Sequence, residues 1–156
     1  MFLGKMCIVC LERYRHIIII LGENPYQNGC HLMSESYEKE LLKTYEQYLA
    51  YFLDNNMNGI NSLVKYPITY LADGECKLLD AFPIKPKEMM ESKQWDTTID
   101  INTYTHGVNS KKGHVISSGT RIRKDKSVIE KYTAFYAFTK TRDGWKMYAI
   151  SSVIQD

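Results

Sequence analysis

From residue 95 to residue 154 the chain holds four strand-length runs in direct succession, 95–106, 114–123, 128–140 and 145–154. Only the turns Gly107–Gly113, Lys124–Ser127 and Arg142-Asp143-Gly144 separate them. Turns this short allow antiparallel pairing and leave no room for the helical crossover that parallel strands need. More than a third of the sequence is thereby committed to one antiparallel sheet, and whatever precedes it must cover one face of that sheet.

The preceding segments have the patterns for this. Ser34 or Ser36 is placed to cap a helix whose first turn carries Glu35 and Glu38, as the helix dipole favours. Leu41, Tyr45, Tyr48, Leu49 and Phe52 then recur at helical spacing, making an apolar face rich in tyrosine. Asn55-Asn56 breaks that helix, and Met57, Ile60, Leu63 and Val64 predict a short second one. Tyr66-Pro67 ends it, because a residue before proline is driven out of the helical region. Ile68–Leu71 and Cys76–Leu79 flank Ala72-Asp73-Gly74-Glu75, whose Asp-Gly pair marks a hairpin. Pro86 suits the first turn of a third helix running through Met89 and Met90. The expected order is helix, helix, hairpin, helix and four long strands.

A length of 156 residues corresponds to a single domain able to bury a substantial core. With 44% hydrophobic and 24% charged residues, disorder, collagen and coiled coil are excluded. The net charge of +2 makes no compositional case for a nucleic-acid or membrane partner, and neither is expected. The apolar run Ile17–Leu21, flanked by Arg13, Arg15 and His16, is too short to span a bilayer or to serve as a signal peptide. Asn24-Pro25 and Asn28-Gly29 are turn signals, and Met33-Ser34-Glu35-Ser36 has the character of a start before a helix. Residues 1–32 are accordingly expected to be an extension and residues 33–156 the domain.

Cys7, Cys10, Cys30 and Cys76 are too few and too scattered for a disulfide framework, and reduced thiols in the cytoplasm are the expectation. The lone Cys7-x-x-Cys10 has no second pair, and His16, His31, His106 and His114 lack metal-ligand spacing. No metal and no cofactor is expected.

The element order resembles the nuclear transport factor 2-like superfamily, which includes ketosteroid isomerases, SnoaL-like polyketide cyclases, scytalone dehydratase and limonene epoxide hydrolase. The resemblance rests on Tyr66-Pro67 followed by Leu71-Ala72-Asp73-Gly74, and on Trp95-Asp96 opening the first long strand. Three late stretches add to it: Thr120-Arg121-Ile122-Arg123, Tyr132 to Thr139, and Gly144-Trp145 leading to Ser151-Ser152. It covers about residues 34–154 and is nearest to small, uncharacterised bacterial members. It implies an α+β cone, with a strongly curved antiparallel sheet wrapped around a long N-terminal helix and short helices closing the mouth. It implies a fold more firmly than an activity.

Strand alternation then sorts candidate site residues. Trp95, Thr97, Ile99, Ile101 and Thr103 share one face of the first strand, with Asp100, Asn102, Tyr104 and His106 on the other. Tyr132, Ala134, Tyr136 and Phe138 share a face of the third. Trp145, Met147, Ala149, Ser151 and Val153 share a face of the fourth. Tyr45, Tyr48, Trp95, Tyr132, Tyr136 and Ser151 are therefore the candidate ligand-binding set, an apolar lining with hydroxyl groups to orient a small molecule. A set of core aromatics would show the same pattern. Asp73 reads as a turn residue, and the basic group Arg121, Arg123, Lys124 and Lys126 as a solvated hairpin tip.

An acid–base enzyme of this architecture needs a carboxylate or histidine inside an apolar pocket. The only candidates are Asp100 and His106, which reach the interior only if the strand register is shifted by one. Tyr148, Ile150 and Ile154, with Phe135 and Ala137, fall on the outer face, where exposed apolar surface predicts a homodimer. The leading expectation is a small-molecule-binding cone with a tyrosine-lined cavity for a hydrophobic metabolite. An isomerase, cyclase, dehydratase or hydrolase, and a dimeric interaction module without ligand, are the alternatives.

Overall fold

A computed structural model describes the backbone of residues 27–155 and the side chains of residues 35–155. The elements are α1 (Gln27–Leu53), α2 (Met57–Ser62), β1 (Val64–Ala72), β2 (Glu75–Leu79), α3 (Pro86–Lys93), β3 (Thr97–His106), β4 (Lys112–Ile122), β5 (Val128–Thr141) and β6 (Gly144–Gln155). Cys7, Cys10 and the Ile17–Leu21 run lie outside the described residues. So does the expected extension, save for positions 27–32, whose backbone is helical and continuous with α1. Ser34 and Ser36 thus stand inside the helix rather than at its cap.

The six strands form one sheet in the order β2-β1-β6-β5-β4-β3. Every neighbouring pair is antiparallel except β1 and β6, which run parallel. The four-strand succession thus builds β3 to β6 as consecutive antiparallel neighbours. The β1–β2 hairpin closes on two residues, Asp73 and Gly74, both at positive φ (54° and 77°), as a type I′ turn requires. The second helix stops earlier than its apolar spacing suggests. Leu63 is the cap of α2, and Val64 already pairs with Met147 in β1. Pro67 falls within β1 where the β6 register is interrupted between Val64 and Thr69 and before β2 pairing begins at Ile68. Lacking an N–H, proline is tolerated at such a gap in the ladder.

Three bulges curve the sheet, since each adds a residue to one strand and increases its bend and twist. In β3, Asp100 and Ile101 together face the span between Thr120 and Ser118, and Asp100 takes a positive φ of 52°. Ile129 is the extra residue of β5, between Val128 and Glu130. Tyr148 is the extra residue of β6, between Met147 and Ala149.

Helix α1 lies across the concave face and presents Leu41, Tyr45, Tyr48 and Phe52, all buried. They meet Val115 from β4, Tyr132, Ala134, Tyr136 and Phe138 from β5, and Trp145, Met147 and Ile150 from β6. Full burial of each large apolar side chain contributes roughly 1.5–3 kcal/mol. α2 approaches α1 closely because residue 59 is glycine: a Cβ there would lie 2.6 Å from the Tyr51 ring. The result is the curved sheet around a long helix that the element order predicts.

Candidate functional site

The centre of the cone is an aromatic cluster built from four elements. Tyr45 and Tyr48 come from α1 at adjacent positions of its buried stripe, and Tyr136 from the concave face of β5. The three rings stand 5.0 to 5.6 Å apart, centroid to centroid. Tyr48 also packs on Phe52 at 5.8 Å and on Phe82, from the β2–α3 connection, at 5.9 Å. Phe52 in turn meets Trp95 edge-on at 5.5 Å. Such tilted contacts suit the aromatic quadrupole and add to area burial.

Burial governs the hydroxyl chemistry here. Desolvation raises Tyr45, Tyr48 and Tyr136 above the ordinary phenol range, with Tyr136 pushed up to about 12. Mutual repulsion of phenolates adds to the shift in Tyr45 and Tyr48, and Tyr132 acts likewise on Tyr136. The Tyr45 hydroxyl is near those of Ser117 and Tyr136, yet it forms no hydrogen bond of good geometry. All three tyrosines are neutral at physiological pH and do not act as bases there.

Toward the mouth the cluster leaves a cleft of about 100 Å³, bordered by Tyr48, Phe52, Trp95, Arg121, Tyr132 and Tyr136. Its volume is roughly that of three water molecules in the liquid. A wider cleft of about 760 Å³ lies against the β1–β2 hairpin and shares Arg121 and Ile84 with the inner one. Arg121 is held from two sides. Its guanidinium carbon sits 4.5 Å from the centroid of the Tyr132 ring, and Nη1 donates to Oε1 of Glu130, its cross-strand partner. Lys93 Nζ, from the last turn of α3, donates to the other Glu130 oxygen at 2.7 Å. Burial opposes ionisation of Glu130, but the bonds from Lys93 and Arg121 outweigh it and hold the carboxyl below the ordinary glutamate range. Gly119 permits this arrangement: a Cβ there would lie 2.8 Å from Thr98 and 3.2 Å from the Tyr132 ring.

The structure therefore brings together Tyr45, Tyr48, Trp95, Tyr132 and Tyr136 from the sequence-derived set. Ser151 is separated from them. The Tyr148 bulge reverses the alternation of β6, so that Ile150 pairs with Tyr136 on the concave side while Ser151 pairs with Phe135 on the convex side. Ser151 borders the wider cleft instead. The same bulge turns Ile150 and Ile154 inward, where Ile154 pairs with Tyr132. They are thus not part of the outer face on which simple alternation puts them. In β3 the Asp100 bulge divides the expected face. Thr98 and Ile101 border the inner cleft and Thr103 bonds Ser117 at 3.1 Å, whereas Ile99 pairs with Thr120 and is 41% exposed.

Asp100 and His106 are both exposed. Six residue steps of strand separate them, about 20 Å at extended spacing. Arg121, Glu130 and Lys93 escape sequence reading, because Arg121 sits in a basic run that resembles a solvated turn. Its signal is the alternation Ser117, Gly119, Arg121, which carries it onto the face of Tyr132. Among the described residues no group of three or more potential ligands is placed to hold a metal ion, and no helix is long and apolar enough to cross a membrane.

Comparison with solved structures identifies the architecture. An NTF2-like protein with a cystatin-like fold from Novosphingobium aromaticivorans superposes with a TM-score of 0.63 at 10% identity, over 86% of this chain and 92% of its own. The chain adopts the nuclear transport factor 2-like fold. An NTF2-like family protein from Streptomyces avermitilis, proposed to be a dehydratase, matches at 0.54 and 12% identity over 78% and 98% of the two chains. The CaMKII hub of S. rosetta matches at 0.50 and 12% identity over 76% and 96%. No protein-family model and no curated protein matches the sequence.

Proposed function

We propose that this NTF2-like chain is a small-molecule-binding protein whose ligand enters the cone between Tyr48, Trp95, Tyr132 and Tyr136. The observation that carries the reading is the cleft at the mouth of the aromatic cluster, where an apolar lining meets three tyrosines and one arginine. That is the composition by which pockets bind and orient small molecules. The exposure of Asp100 and His106 favours binding over acid–base catalysis, because neither has the apolar surroundings that tune a catalytic group. The inner cleft is small against the usual 300–1,000 Å³ of ligand pockets. The apolar part of the ligand is thus short, and the remainder extends into the wider cleft beyond Arg121.

The convex face supports the proposal of a homodimer. Ile99, Tyr104 and Val153 are 41%, 56% and 62% exposed on that side, beside the half-buried Phe135. Structural likeness to a protein described as a hub agrees with self-association. In this reading residues 33–156 are the folding unit, residues 1–32 are dispensable to it, and the protein acts in the cytoplasm.

A thermal-shift screen of small apolar metabolites on the full chain tests the reading. A stabilising compound is expected to lose at least tenfold in affinity when Tyr48 and Tyr136 are both replaced by phenylalanine. Undiminished affinity in that variant, or the absence of any stabilising compound, contradicts the proposed pocket.

A further inference from the structure

Resting on the binding reading above, we propose that the ligand is an amphipathic acid, whose carboxylate is received by Arg121 and Lys93 while its short apolar part enters the inner cleft. The two clefts meet at Arg121 and Ile84. On the inner side the surroundings are aromatic and aliphatic: Phe52, Leu53, Trp95 and Ile101. On the outer side stand Arg121 and Lys93, the two cationic side chains that line the clefts among the described residues.

Their charge is incompletely balanced. Glu130 is shared by both cations, so the three groups together carry one net positive charge. The carboxylates of the hairpin rim do not supply the missing negative charge, since Glu75 is paired with Lys77 at 2.8 Å and Asp73 occupies the exposed hairpin turn. A guanidinium has five N–H donors in a fixed fork, and Glu130 engages Nη1. The guanidinium carbon stands over the Tyr132 ring, which holds the group at the border of both clefts. The side chain is mostly buried and braced by Glu130, so little rotamer freedom is lost on binding. A planar bidentate acceptor, a carboxylate, matches this fork best.

Trp95 borders the inner cleft and supplies an optical reporter, whereas Trp145 lies nine residues before Ile154 along β6, away from the mouth. The test is a fluorescence titration of the full chain with hexanoate, hexan-1-ol and hexylamine at one ionic strength. Hexanoate is expected to bind about tenfold more tightly than hexan-1-ol, as a charge-assisted bond to arginine implies, and hexylamine not to saturate. Arg121→Gln should abolish the preference for the acid while hexan-1-ol still binds, and Arg121→Lys should restore part of it. Equal binding of acid and alcohol to the unaltered protein overturns the carboxylate assignment and leaves the pocket standing. Failure of all three probes to bind overturns both.

Discussion

Three neutral tyrosines at the centre of the cone make the fold sensitive to alkaline pH. In the unfolded chain their hydroxyls ionise near pH 10. In the folded protein burial keeps Tyr136 protonated to about 12 and shifts Tyr45 and Tyr48 in the same direction. Between those limits the unfolded state binds fewer protons than the folded one, so stability falls as pH rises. With its folded-state value near 12, Tyr136 alone loses about 1 kcal/mol of stability between pH 9 and pH 11, and Tyr45 and Tyr48 add to the loss in the same direction. Against a domain's usual 5–15 kcal/mol, a loss of this size is measurable. Urea unfolding at pH 9, 10 and 11 measures the loss, and absorbance near 295 nm follows tyrosinate directly. The decisive comparison is with Tyr45→Phe, Tyr48→Phe and Tyr136→Phe, which separates the phenols from every other group. Each should flatten the profile over that interval, Tyr136→Phe by about 1 kcal/mol. Tyr45→Phe should also leave stability at pH 7 unchanged or slightly higher, because the hydroxyl it removes is buried without a well-formed bond. A stability profile equally steep in all three variants and in the unaltered protein would refute the reasoning.

Other expectations follow from the mouth and the outer face. Glu130→Gln leaves Arg121 largely buried with its carboxylate gone and should cost about 1–3 kcal/mol at pH 7 by denaturant unfolding. Because Glu130 ionises below the ordinary range, its contribution is present at neutral pH and is lost as pH falls through the acid range, and the variant should lack that acid-side loss. Gly119→Ala forces a methyl group against Thr98 and Tyr132 and should destabilise by about 1–3 kcal/mol, with Trp95 fluorescence shifted by the displaced ring. Val153→Asp or Ile99→Asp on the convex face should convert the proposed dimer to monomer in light-scattering mass measurements without lowering the monomer's helix content. A chain starting at Met33 should melt at the temperature of the full chain.

The tyrosine cluster was legible in the sequence because it depends only on periodicity. Helical spacing puts Tyr45 and Tyr48 on one stripe, and Tyr132 and Tyr136 lie on a stretch of β5 without a bulge. Faces became unreadable where a bulge intervened. Nothing in the local composition announces that Asp100 adopts a positive φ or that Tyr148 is an extra residue, yet each reverses the side chains beyond it. Ser151, Ile150 and Ile154 therefore lie on the sides opposite to those that simple alternation predicts. Arg121 was obscured differently: its partner Glu130 is nine residues away and meets it only when β4 and β5 pair. Leu63 and Val64 suit either the end of a helix or the start of a strand, and pairing with β6 decides between them.

Native mass spectrometry of the full chain, purified gently enough to retain bound molecules, tests the central claim most directly. The account predicts a dimer carrying a small additional mass per chain, released on denaturation and identifiable as an organic compound with a short apolar part. A chain that never carries an adduct, and acquires none when offered the compounds that stabilise it, would contradict the claim that the tyrosine cone is a binding site.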